Sequence, residues 1–263
     1  MTFSTTILLG AIAGLTIYLG LPIARINKPS PRWQAFLNAV ATGILVFLLW
    51  DILSSAGEPI DVALDAAKKG DAGNLIGLLL LFAGGFIVGL MSLVYFERYF
   101  VRHVATEART GSATPGQLAV IIAVGIGLHN FSEGLAIGQA SRAGEIGLAT
   151  ILIVGFALHN ATEGFGIAAP LAAGDRPSWR FLALAGLIAG GPTFLGTIIG
   201  YSIFSEALFV LFLSLAAGSI FYVVAELLHV GRRFGLRELA MWGVVIGFLI
   251  GFATDLFLTW AGA

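Results

Sequence analysis

Long apolar runs separated by short polar joints are the dominant pattern of the chain. A bilayer core about 30 Å thick needs roughly 20 apolar residues per helix. By that ruler eight runs qualify, at about 6–24, 34–53, 74–96, 116–140, 146–171, 181–203, 207–229 and 240–261. Helix breakers mark the joints: Pro29 and Pro31, Gly57 with Pro59, Pro115, Gly144, Gly174 with Pro177, and Gly235. The pattern predicts an all-α integral membrane protein, with residues 1–263 forming a single transmembrane domain of eight helices. The first run has neither a basic n-region nor a small-x-small cleavage site, so it reads as a retained span rather than a signal peptide.

Composition agrees. Hydrophobic residues make up 58% of the chain and charged ones 11%, about half the charge of a soluble protein. A net charge of −1 points to no nucleic-acid partner. The absence of cysteine excludes disulfides and thiolate metal sites. The 35 glycines suit close helix packing within a bilayer.

Basic residues set the expected orientation. The joints after spans 1, 3, 5 and 7 hold Arg25, Lys28, Arg32, Arg98, Arg102, Arg109, Arg176, Arg180, Arg232, Arg233 and Arg237, which is 11 of the 14 Lys and Arg. The other side keeps Lys68, Lys69 and Arg142. Cytoplasmic loops collect Lys and Arg, so both termini are expected to be extracytoplasmic, with the acidic stretch 58–71 also facing outward.

An internal repeat runs through the spans. GAIAGLTIYLG at 10–20 matches GLIAGGPTFLG at 186–196. Gly43 precedes Asp51 by the same interval that separates Gly218 from Glu226, and spans 3 and 8 share G-F-x-x-G at Gly85–Gly89 and Gly247–Gly251. Spans 1–3 thus match spans 6–8, and span 4 matches span 5, each pair antiparallel in the expected topology. The result is a 3+2+3 inverted repeat with halves at about 6–96 and 181–261, flanking the helices at about 116–140 and 146–171.

Those two central helices carry the chemistry, as HNFSEG at 129–134 and HNATEG at 159–164. Residues four apart share a helix face, so His129 and Glu133 point one way, as do His159 and Glu163. A charge at mid-span costs about 2.5–3.5 kcal/mol even on insertion scales, and facing carboxylates cost more unless protonated or bound to a cation. In antiparallel helices Glu133 lies about 6 Å beyond His129 along the axis. This brings Glu133 level with His159, and His129 level with Glu163. Two imidazoles and two carboxylates around a divalent cation suit zinc, iron(II), manganese or cadmium. An isolated buried His or Glu is often structural, but two copies of H-N-x-x-E-G in consecutive spans are hard to explain that way. Gly134 and Gly164 read as packing positions.

With these motifs the chain resembles the ZIP (Zrt-, Irt-like) metal transporters, nearest their bacterial and archaeal branch. HNFSEG fits the span-4 pattern H-N-x-x-[DE]-G, and AAGSIFYVVAE in span 7 fits AAG-x-x-x-Y-V-x-x-E. The resemblance implies a primary metal site of His129, Glu133, His159 and Glu163, with Asn130 and Asn160 facing a second site. Glu226, beside His229, is a further candidate metal ligand, and a structural role is its alternative. Thr193 stands where relatives place a bridging Glu, so the second site is expected to be weak or absent. Asp51 and Asp255 read as interfacial charges.

The implied activity is transport of a divalent metal, zinc first among them, into the cytoplasm by alternating access at the plasma (inner) membrane of a prokaryote. No cofactor is implied, because the metal is cargo. The expected partners are metal ions and membrane lipid, with a homodimer left open. The rival reading is an intramembrane zinc-dependent hydrolase, disfavoured because H-E-x-x-H and a Ser/His/Asp set are missing.

Overall fold

The computed structural model describes residues 1–25, 30–173, 176–233 and 235–261; Lys28, Pro29 and Gly174, read above as joint residues, lie outside them. Among the described residues the regular elements are all helical. Eight helices are long and apolar enough to cross a membrane: α1 (Phe3–Arg25), α2 (Arg32–Lys68), α3 (Gly73–Thr110), α4 (Pro115–Ala143), α5 (Ile146–Leu171), α6 (Trp179–Ser202), α7 (Glu206–His229) and α8 (Arg237–Ala261).

Two of them outrun the lengths expected from hydropathy. α2 does not stop at Gly57 and Pro59 but continues through Pro59 to Lys68, so most of the acidic stretch 58–71 is helix. At 1.5 Å per residue, α2 is about 55 Å long, well over the bilayer core. Proline removes one backbone donor from the ladder, and packing offsets that loss. Ala56 is fully buried, and Ala63 packs against Leu78 of α3 and Val210 of α7. α3 likewise runs past residue 96, through a π-helical turn at Glu97–Val101 and a polar α-helical end at Arg102–Thr110. It closes on Gly111, whose φ of 80° is left-handed. After three further residues α4 starts at Pro115, with Thr114 and Gln117 capping each other's backbone N–H.

Packing sorts the helices into two bundles. α1, α4, α5 and α6 pack mainly on one another, as do α2, α3, α7 and α8; α4 against α7 and α5 against α2 form the main seam between them. The repeat read from the sequence divides the chain by order, whereas packing takes members of both repeats into each bundle.

Close glycine contacts pair the two halves. A Cβ on Gly14 would stand 2.2 Å from the carbonyl oxygen of Gly190, and one on Gly190 would stand 2.2 Å from that of Gly14. These are matched positions of α1 and α6, touching reciprocally. A Cβ on Gly134 would meet Thr193 O at 2.2 Å, and one on Gly164 would meet the matched Ile17 O at 2.6 Å.

In α3 and α8 the contacts change the register. Gly89 faces Leu215 O while Gly247 faces the matched Val40 O, and Gly85 faces Leu211 O while Gly243 faces Phe36 O. Gly89 therefore corresponds to Gly247, one helical turn from the G-F-x-x-G alignment. Backbone approach depends on which glycine meets a carbonyl, and identical tetrads one turn apart do not reveal it.

Candidate metal centre

Four side chains from α4 and α5 converge in the membrane interior. His129, Glu133 and His159 each offer a ligand atom, and these atoms all lie within 4.8 Å of one another. Glu163 joins them, with Oε1 2.6 Å from His129 Nε2 and 3.6 Å from His159 Nε2. His159 Nε2 is 3.2 Å from Glu133 Oε1. The cross-pairing of each His with the other helix's Glu follows from the antiparallel stagger. All four are buried, Glu133 at 1% exposure and Glu163 at 8%.

The hydrogen bonds orient the ligands. His159 donates Nδ1–H to Gly155 O at 3.2 Å, which leaves the Nε2 lone pair facing the cluster, the arrangement that commonly fixes a metal-binding imidazole. Glu133 Oε1 and His159 Nε2 are near each other but make no hydrogen bond, and among the described residues neither carboxylate oxygen of Glu133 has a donor. With His159 neutral, two acceptors thus face each other in a buried site, an arrangement that a cation satisfies. Tetrahedral zinc with ligands at about 2.0–2.2 Å sets neighbouring donors about 3.3 Å apart. The His159 distances lie near that value. The shorter His129–Glu163 contact is a hydrogen bond and has to lengthen for both groups to ligate one ion.

Asn130 and Asn160 serve a different immediate purpose. Asn130 Nδ2 donates to Ala189 O of α6 at 3.0 Å, and Asn160 Nδ2 donates to the matched Ala13 O of α1 at 3.1 Å. Among the described residues their amide oxygens, buried, have no hydrogen-bond partner, and neither has Thr193 Oγ1. All three are neutral oxygens.

A cavity of about 570 Å³ reaches His129 and Glu163 from one face. Its wall takes Gln34 and Asn38 at the start of α2, Val101 late in α3, Ile122 early in α4, Pro170 late in α5 and Leu227 late in α7. All of these lie toward the joints that carry most of the Lys and Arg, so the cavity opens on the basic face. Toward the opposite face the path is packed shut by a cluster that includes Leu48, Ile137, Leu152, Phe156 and Leu213.

Glu226 lines the cavity rather than joining the four-residue cluster, and His229 is exposed. Sequence reasoning missed Gln34, Asn38, Glu97 and Tyr222, which share that wall. Glu97 lies in the π-turn of α3, where Arg102 Nε donates to its Oε1 at 2.9 Å, and from there it lines the cavity. Asp51 is not on a solvated face. It is half-buried, and its Oδ2 has no hydrogen-bond partner among the described residues.

Fold and site together define a polytopic membrane protein with a buried His/Glu cluster of metal-ligand type, reached from one face. Residues 101–254 match the family described as ZIP Zinc transporter, and the chain belongs to that family of transporters. It is 28% identical over 260 residues to the zinc transporter ZupT of Chlorobium chlorochromatii (strain CaD3), covering 94% of each chain. It is 29% identical over 276 residues to the zinc transporter ZupT of Clostridium perfringens (strain 13 / Type A), covering 95% of this chain and 93% of the relative. A ZupT of Streptococcus mutans serotype c is 29% identical over 260 residues, with 94% of each covered.

Proposed function

We propose that the chain carries a divalent transition metal, zinc first, into the cytoplasm across the inner membrane of a prokaryote, using His129, Glu133, His159 and Glu163 as the transport site. The observation that carries this reading is Glu133: a carboxylate 1% exposed, with no hydrogen-bond donor on either oxygen among the described residues, facing His159 Nε2 at 3.2 Å. Uncompensated burial of such a group is too costly to serve packing alone. A divalent cation among two carboxylates and two neutral imidazoles makes the site formally neutral. The family and the names of the relatives favour zinc.

Alternating access is supported by the one-sided cavity together with the reciprocal contacts between matched positions of the two repeats. Exchange of the roles of α4–α7 and α5–α2 opens the other side of the same site. The basic loops support a cytoplasmic cavity mouth and extracytoplasmic termini. Glu226 and Glu97 on the cavity wall then lie on the release path. Zinc uptake by sealed proteoliposomes tests the reading. Saturable accumulation is expected, and no accumulation above protein-free vesicles would sink it.

A further inference from the structure

The asparagines and hydroxyls of the two halves of the site mirror each other, with one exception. Ser132 Oγ lies 2.6 Å from His129 O, and the matched Thr162 Oγ1 lies 2.7 Å from His159 O. Ser132 Oγ also stands 2.7 Å from Ser219 Oγ on α7. The position on α2 that matches Ser219 is Ile44, one after Gly43 as Ser219 is one after Gly218. Thr162 therefore has no hydroxyl to meet across its own seam, and it lines the cavity instead.

The Ser132–Ser219 contact is unusual in where it lies. Several other side-chain hydrogen bonds between membrane helices stay inside one bundle: Tyr18 to Ala183, Asn130 to Ala189, Gln139 to Gly200 and Asn160 to Ala13 in one, Asn38 to Leu227 in the other. Ser132–Ser219 crosses the α4–α7 seam, one residue from Glu133, and both serines are 2% exposed.

Proton counting shows why it can open cheaply. Each hydroxyl has one proton. Ser132 reaches its own helix at His129 O, and Ser219 reaches Ala216 O at 2.8 Å. In the joined state one proton lies between the two serines. In the parted state each serine donates back to its own helix, so no buried hydroxyl is orphaned and only the advantage of the inter-helix bond over a weaker i−3 back-bond is given up.

On the alternating-access reading, we infer that the Ser132–Ser219 hydrogen bond is a latch on the seam, holding the site open to the basic face, and that it breaks in every transport cycle. Ile44 denies the opposite state an equivalent bond, so the resting molecule is biased toward the basic-face-open form.

The chain has no native cysteine, so the S132C/S219C variant carries the only two thiols. Side-chain ends 2.7 Å apart are within reach of a disulfide of about 2.05 Å. Diamide is expected to cross-link the pair and to abolish zinc uptake in proteoliposomes. Reduction with a phosphine is expected to restore it, while zinc binding by the solubilised protein persists throughout. S132C or S219C alone should be unaffected by the same treatment. Failure to cross-link, or uptake at the reduced rate by the oxidised pair, overturns the latch. A second readout needs no cross-link: reactivity of an I126C thiol on the cavity wall should fall by up to about threefold when S132A is added, because exchange of the inter-helix bond for a back-bond is worth less than one full hydrogen bond. Unchanged reactivity also overturns the latch. Wild-type protein without uptake would instead sink the transport reading itself.

Discussion

His129 and Glu163 are buried on each other's account, 2.6 Å apart, and their side chains reach the cavity rather than the apolar core. His129→Ala or Glu163→Ala is therefore expected to lower zinc uptake to near background while membrane insertion and expression stay normal. Near wild-type uptake at equal expression would remove that residue from the transport site. Stoichiometry follows from the neutral oxygens of Asn130, Asn160 and Thr193. Without a third carboxylate a second cation gains little, so titration should give one tight zinc per chain; two tight equivalents would contradict this. Metal ligation also requires neutral imidazole. Protons therefore compete with zinc for these ligands, the more so the lower the pH. Apparent affinity should fall as pH drops from about 7.5 to about 5.5, with protons released on binding. Calorimetry in buffers of different ionisation enthalpy counts them, and zero release at pH 6.5 with flat affinity would mean that other ligands hold the metal.

Among the elements, α4 and α6 are locked by backbone approach at Gly134, where a Cβ would come within 2.2 Å of Thr193 O. Carbonyl oxygens cannot swing away as a side chain can. Gly134→Ala should cost about 1–3 kcal/mol, the usual penalty for overpacking, read as a lower midpoint in thermal or denaturant unfolding. Gly166 is the control, because a Cβ there meets nothing within 4 Å. Gly166→Ala should unfold at or above the wild-type midpoint, since alanine favours the helix. Equal loss in both variants would show that helix propensity or folding yield, not the α4–α6 approach, is being measured.

For the whole molecule, orientation and the one-sided cavity are read together in the cysteine-free chain. D71C, beyond the end of α2, and S112C, between α3 and α4, should be labelled from opposite faces by an impermeant thiol reagent. I126C on the cavity wall should share the face of S112C, while I137C, buried in the packed cluster beyond the site, should resist labelling from either. Labelling of I126C from the face of D71C would invert the cavity assignment and, with it, the direction of access.

Much of this architecture follows from local quantities. Helix number follows from apolar run length, and the pairing of His129 with Glu163 follows from the 1.5 Å rise and antiparallel direction of two adjacent spans. Those terms depend on residues a few positions apart, so the order of residues alone determines them. The length of α2 beyond Pro59 does not, because it rests on Ala63 finding Leu78 and Val210. The register of α3 against α8, the division into two bundles, the place of Glu97 on the cavity wall and the Ser132–Ser219 contact share that origin. Each is decided by which backbone or hydroxyl happens to face which neighbour across a seam. Glycines one turn apart read alike along the chain and differ only in what they touch.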